Sequence, residues 1–321
     1  MKKHILLLII FTCIHNYTNA STNTWQADDR YFDTAILSDA AHMKQILINE
    51  ENFEEISFTS SDNLRLEGIA RFVENPQFSI ILCPGFFPGK QHGMASFVDM
   101  LPKDCNIIMY NARGKGNSEG KLDLYNVWRY GSKEYKDVLG AIDFMHEKDS
   151  SPLFILGVCA GSFHALHATA RVNQNSYNIK GVIVDSGMTS VKTMSQTALD
   201  GIIKKQIPWP WAQTITLYGI HILRICIYHP FIQWTQHMKL SQVIKDITSP
   251  IFYIHAHDDK LAPFEKVKTL AKKTPDAHHW WIKKPSTHAC HHLKHTYAYQ
   301  KKMMEFINKQ LHNQNKSFPK N

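Results

Sequence analysis

The stretch Pro152-Leu153-Phe154-Ile155-Leu156-Gly157-Val158-Cys159-Ala160-Gly161-Ser162-Phe163-His164-Ala165-Leu166 decides the fold. Its first half is an apolar run of the kind buried inside a parallel sheet. Its second half reads as a helix over Ala160–Arg171. Between them stands Gly-x-Cys-x-Gly at residues 157–161. A strand that turns sharply into a helix needs glycine on both sides of the turn, because a Cβ at either position would clash. The middle residue is forced into a strained conformation that pushes its side chain out above the sheet. The helix N-terminus then lies beneath it, where the dipole favours a thiolate. This context reads Cys159 as a nucleophile rather than a small core residue. Ser162 sits one turn into the helix and points elsewhere.

Outward from that turn the chain alternates. Phe78–Leu82, Asn106–Tyr110, Pro152–Val158, Ile179–Val184, Pro250–His255 and His279–Lys283 read as strands. Segments 131–147, Phe264–Lys273 and Leu293–Leu311 read as further helices. The alternation predicts an α/β fold with a mostly parallel central sheet and helices on both faces. Two earlier β-type stretches, Glu54–Thr59 and Leu64–Val73, are separated by the polar turn Ser60-Ser61-Asp62-Asn63. Within an N-terminal helical extension over 21–52, residues 33–49 carry the apolar stripe Ile36, Met43, Ile46 and Leu47. Residues 187–248 are longer than a simple crossover and predict an inserted helical cap. Its aromatics Trp209, Trp211, Phe231 and Trp234 either line an acyl pocket or pack the cap onto the core. Residues 312–321 read as a flexible tail.

Four further stretches join the turn at Cys159 in resembling the α/β-hydrolase superfamily. Cys83-Pro84-Gly85-Phe86-Phe87-Pro88-Gly89 follows the third strand of that pattern, where the family carries a His-Gly oxyanion loop; here Pro84 replaces the His. Residues Asn111 to Gly120 are similar to its D-x-R-G-x-G-x-S-x-G loop, with Asn111 at the acidic position. Residues Ala256 to Pro263 are similar to its acid loop, which aligns the acid with Asp259 and leaves Asp258 as a neighbouring rival. Ser286-Thr287-His288 follows the last strand, where the family keeps its histidine. The resemblance covers roughly residues 53–311 and is to the monoacylglycerol-lipase-like and serine-aminopeptidase-like branch. A Cys in the elbow is similar to dienelactone hydrolase.

The resemblance implies a triad in the order nucleophile, acid, base: Cys159, Asp259, His288. It also implies an oxyanion hole from the backbone N–H groups of Phe86 and Ala160. Each role has a physical reason. A thiol at its ordinary pKa is only a few per cent thiolate at pH 7 and needs a base. The acid fixes the imidazole tautomer and stabilises imidazolium. The implied chemistry is cleavage of an ester, thioester or lactone through an acyl-cysteine, on a small acyl substrate, lipid-like ones among them. An acyltransferase on the same site and a non-catalytic binding protein on this scaffold are the alternative readings.

No cofactor is expected. Gly114, Gly116 and Gly120 have the wrong spacing for a dinucleotide fingerprint. His288, His291, His292 and His295 lack the carboxylate partners of a metal site and read as a solvated histidine face. The 321-residue chain is 44% hydrophobic and 20% charged, which excludes a disordered class. Its net charge of +8 is scattered, which points away from a nucleic-acid stripe and allows weak contact with anionic membrane surfaces. Residues 1–20 have the form of a secretory signal peptide: Lys2 and Lys3, the apolar run Ile5 to Ile14, and Thr18-Asn19-Ala20. A secreted or periplasmic location follows as the expectation. After Cys13, five cysteines remain, so at least one is free or pairs outside the chain.

Overall fold

The computed structural model describes residues 40–85, 91–121, 131–190, 209–216, 219, 239–284, 286 and 288–317. Its strands are β1 (Glu54–Thr59), β2 (Arg65–Arg71), β3 (Phe78–Cys83), β4 (Cys105–Tyr110), β5 (Leu153–Val158), β6 (Ile179–Asp185), β7 (Ile251–Ala256) and β8 (Ala277–Ile282). They form one sheet in the order β1-β2-β4-β3-β5-β6-β7-β8. β2 runs antiparallel to both β1 and β4, and all pairs from β4 to β8 are parallel. The order reverses between β3 and β5. Open α/β sheets bind ligands at the carboxyl ends of the strands flanking such a reversal.

Among the described residues the helices include α1 (Ala40–Glu50), α2 (Tyr135–Lys148), α3 (Ala160–Thr169), α4 (Leu240–Val243), α5 (Phe264–Ala271), α6 (His291–Lys294) and α7 (Thr296–Ser317). A run of 3-10 helix over Gln91–Met100 lies between β3 and β4. Successive strand residues point to opposite faces, so each apolar strand feeds two cores. Ile81, Ile155, Val182 and Tyr253 join Val138 of α2, Leu166 of α3 and Val267 of α5. Their neighbours Ile80, Leu156, Ile183 and Ile254 join Leu47 of α1, Phe97 of the 3-10 run, and Met303 and Ile307 of α7. The expected two-faced parallel sheet is therefore present, with its antiparallel strands at one edge.

Two boundaries differ from the sequence expectation. The helix expected over Leu293–Leu311 is two helices, broken at His295 (φ −131°, ψ 39°). The tail expected from residue 312 is helical as far as Ser317. Phe306, Ile307 and Gln310 anchor that helix in the core, and no breaker intervenes before Pro319. Residues 1–20, most of the expected 21–52 extension and most of the expected 187–248 cap lie outside the described residues. Within the cap region, Trp209 and Trp211 are exposed, so neither packs onto the core. Phe231 and Trp234 lie outside the described residues.

The loop after β4 is built around a buried cation. Arg113 donates from both terminal nitrogens to Asp62 at 3.0 and 2.7 Å, and from Nε to Asp137 at 2.8 Å. Ser118 Oγ donates to the Asn111 carbonyl at 2.7 Å and accepts the Glu67 N–H at 2.9 Å. These bonds pin the loop to β2 and α2.

Candidate active site

Cys159 occupies the turn between β5 and α3 with φ 56° and ψ −115°. A non-glycine residue with that backbone is strained. The glycines on either side have no room for a side chain. A Cβ on Gly157 would lie 2.5 Å from both the Gly161 carbonyl oxygen and the Ser162 nitrogen. One on Gly161 would lie 2.2 Å from the Cys83 carbonyl oxygen and 2.7 Å from that of Pro84. The close approach at Gly161 seats α3 directly on the end of β3. Cys159 is half-buried and borders both cores. Ser162 is fully buried, and its hydroxyl donates to the Gly157 and Asp185 carbonyls, so it ties the helix start to the sheet. Ala160 opens α3, where first-turn N–H groups have no intrahelical acceptor. Phe86 lies outside the described residues.

The loops after β7 and β8 bring Asp259 and His288 together. His288 Nδ1 and Asp259 Oδ2 are 2.8 Å apart, and both side chains are buried. Asp259 Oδ1 accepts the N–H groups of Leu261 and Ala262, each at 2.9 Å. Asp258, the rival acid, is exposed and faces the Ser286 N–H at 3.3 Å. Behind Asp259, His255 Nε2 donates to the Ala262 carbonyl at 2.7 Å and stands 3.6 Å from Asp259 Oδ2.

Burial dominates the electrostatics of this pair. It pushes the Asp259 carboxyl up to about 7, against the two backbone N–H donors that favour the anion. Burial, with His291 adding to it, pulls His288 down to about 3, so the imidazole is neutral at pH 7. Above about pH 7 the Asp259 carboxylate accepts a hydrogen bond from Nδ1–H, and Nε2 is the basic nitrogen. Below it the carboxylic acid donates to Nδ1, and the ring proton sits on Nε2.

A second buried network adjoins the first, and sequence reasoning missed it. Asp185, the last residue of β6, is fully buried; its Oδ2 accepts from Tyr299 at 2.9 Å and its Oδ1 from Ser186 at 2.9 Å. Ser186 Oγ lies 2.9 Å from His291 Nε2 and accepts the Ala289 N–H at 2.8 Å. Ser286 Oγ lies 2.6 Å from His291 Nδ1. His292 packs against the 3-10 run, 2.8 Å from Ser96 Oγ and stacked on Phe97. The expected solvated histidine face is therefore wrong for His288, His291 and His292, which are all buried. The loops that carry them turn inward to meet the end of β6, and their ring nitrogens take hydroxyl and carboxylate partners there. The only sequence signal was a polar Asp185-Ser186-Gly187 directly after an apolar strand. No disulfide joins Cys83, Cys105, Cys159 and Cys290 to one another.

The loops after β5, β6, β7 and β8 thus meet along one edge. Cys159 N–H donates to the Asp185 carbonyl at 2.9 Å, and Ser186 N–H donates to the Ile254 carbonyl at 3.0 Å. No family model and no curated protein matches the sequence. Solved structures do match. The esterase Pf2001 of Pyrococcus furiosus has a TM-score of 0.58 at 15% identity, over 80% of this chain and 92% of that one. The α/β hydrolase GrgF from Penicillium sp. sh18 has a TM-score of 0.60 at 14% identity, over 81% and 99%. Mouse α/β hydrolase domain-containing protein 10 has a TM-score of 0.57 at 18% identity, over 80% and 99%. The strand order, the turn at Cys159 and these likenesses agree: the chain has the α/β-hydrolase fold.

Proposed function

We propose that this protein is a hydrolase that cleaves an ester, thioester or lactone through an acyl-cysteine on Cys159. The observation that carries the reading is the buried Asp259–His288 pair, hydrogen-bonded at 2.8 Å on the sheet edge that also presents the strained Cys159. His288 Nε2 takes the thiol proton, and the thiolate attacks the acyl carbon. The tetrahedral oxyanion accepts hydrogen bonds from the N–H groups of Ala160 and Phe86. Collapse of the intermediate expels the alkoxide or thiolate, which takes the proton from His288. Water then attacks the acyl-cysteine with His288 as base. The carboxylic acid leaves, and the thiolate recovers its proton.

Thiolate leaves more easily than alkoxide, so the second half of the cycle suits an acyl-cysteine. Amides are poorer substrates, because a nitrogen leaving group demands more of the general acid. The proposed setting is secreted or periplasmic, from the signal-like residues 1–20. Residues 187–248 are the proposed cap that selects the acyl group. The exposed Trp209, Trp211 and Ile215 in that region support weak contact with a membrane surface.

The test is acyl-chain-length profiling with p-nitrophenyl esters in reducing buffer, on the wild type, Cys159→Ala and Cys159→Ser. The Ala variant is expected to lose the activity, and the preferred chain length sizes the acyl pocket. An Ala variant that keeps the wild-type rate sinks the reading.

A further inference from the structure

Seven non-glycine residues among those described have positive φ. Four are asparagines, which tolerate that region. The other three are Cys159 (φ 56°), Ser186 (φ 51°) and Ala289 (φ 58°), and hydrogen bonds gather them at one place. Cys159 N–H donates to the carbonyl of Asp185, the residue before Ser186, and Ala289 N–H donates to Ser186 Oγ. Conformations of this kind persist only where the surroundings over-determine them.

The hydroxyl of Ser186 is the centre of that constraint. Its O–H donates to Asp185 Oδ1 at 2.9 Å while its lone pairs face the Ala289 N–H at 2.8 Å and His291 Nε2 at 2.9 Å. With the serine O–H directed at Asp185, His291 donates from Nε2. His291 Nδ1 then accepts from Ser286 Oγ at 2.6 Å. The Ala289 N–H belongs to the peptide unit that begins at the His288 carbonyl. Moving that N–H therefore moves the backbone that carries His288. Asp185, Ser186 and His291 are all fully buried, so water does not compete for these bonds.

We propose that Ser186 is a positioning residue for His288: braced by Asp185 and His291, its hydroxyl sets the turn at Ala289 and so the placement of the imidazole against Cys159. The inference rests on the roles proposed above for Cys159 and His288. The hydroxyl accepts from Ala289 and donates to Asp185 at once. Alanine removes both bonds, and the one to His291, without altering the backbone atoms. Threonine would add a β-branch at a positive φ.

The test compares wild type, Ser186→Ala and His288→Gln by two readouts. One is kcat and KM for p-nitrophenyl acetate. The other is the rate of Cys159 alkylation by iodoacetamide at pH 7, followed by peptide mass spectrometry, which needs no turnover. Ser186→Ala is expected to lower kcat by about 10- to 100-fold with KM within about twofold, as for a misplaced catalytic group. It is also expected to slow alkylation toward the His288→Gln rate. Should Ser186→Ala give little folded protein, Ser286→Ala removes only the outer bond to His291 and is expected to shift both readouts the same way by about threefold. If Ser186→Ala, or Ser286→Ala in its place, matches wild type while His288→Gln loses both, the positioning role is refuted and the triad stands. If His288→Gln alkylates as fast as wild type, the triad reading falls and takes this inference with it.

Discussion

Asp259→Asn separates activity from stability, and the direction of each follows from three hydrogen bonds. Asp259 Oδ1 accepts two backbone N–H groups at 2.9 Å, and Oδ2 faces His288 Nδ1 at 2.8 Å. An asparagine must place its carbonyl oxygen toward the two N–H groups. The flipped amide would set a donor against two donors in a buried site, which costs about 1–3 kcal/mol for each group left unpaired. Its NH2 therefore donates to His288 Nδ1, and the imidazole proton moves to Nε2. That nitrogen can then no longer take the thiol proton. The variant freezes the pair in the arrangement that the wild type adopts only at low pH. A wrong tautomer of this kind lowers kcat by roughly 10,000-fold in a serine-based triad, and a loss of about 1,000-fold or more is expected here on the same ground.

Stability moves the other way. Burial raises the Asp259 carboxyl from 3.8 to about 7, so the folded state holds a proton that the unfolded chain releases. The wild type therefore loses stability as pH rises from about 4 to 7, by at most about 4 kcal/mol for this group. Asparagine carries no such term. At pH 8 the variant is expected to melt several degrees above wild type, and at pH 4 the difference should vanish. The assay pairs ester hydrolysis with thermal unfolding at both pH values. A variant that keeps more than about a tenth of the rate, or that melts below wild type at pH 8, is incompatible with this arrangement of Asp259.

Three more outcomes are expected. The pH profile of kcat/KM on an uncharged ester should rise through about 7, because Asp259 must ionise before His288 holds its proton on Nδ1; a limb centred below about pH 5 contradicts this. Gly161→Ala places a Cβ 2.2 Å from the Cys83 carbonyl oxygen and must push α3 away from the end of β3. It should cost about 1–3 kcal/mol and lower the thermal midpoint, with hydrolysis falling alongside, and an unchanged midpoint counts against the close approach. Arg113→Met strips the buried Asp137 of its guanidinium partner, held at 2.8 Å. Urea unfolding should show a loss of about 3–5 kcal/mol, and a loss under about 1 kcal/mol contradicts a buried pair.

What the sequence makes legible here is local in origin. Gly157 announces the turn because a Cβ there would meet Gly161 and Ser162 of the same turn, whereas Gly161 is required by the distant carbonyls of Cys83 and Pro84. The strands β3, β4, β5 and β7 are legible because each is a run buried on both faces. Asp258 and Asp259 are indistinguishable on composition; only the direction of the turn after β7 buries one and exposes the other. The Ser186 knot was illegible for a different reason. Its partners Ala289 and His291 lie 103 and 105 positions away, and nothing near Ser186 signals a positive φ. The histidines misled for the same reason. Spacings of three and four suggest a helical face, but His295 breaks the helix and the rings before it turn inward.

An acyl-cysteine intermediate is a covalent bond to one sulfur. The most direct measurement is intact-mass and peptide-mapping mass spectrometry of the protein quenched in acid during turnover of a p-nitrophenyl ester. The expected result is a mass gain of one acyl group, located on the peptide that contains Cys159 and absent in Cys159→Ala. An acyl group on Ser162 or on another cysteine, or turnover that persists in Cys159→Ala, would contradict it.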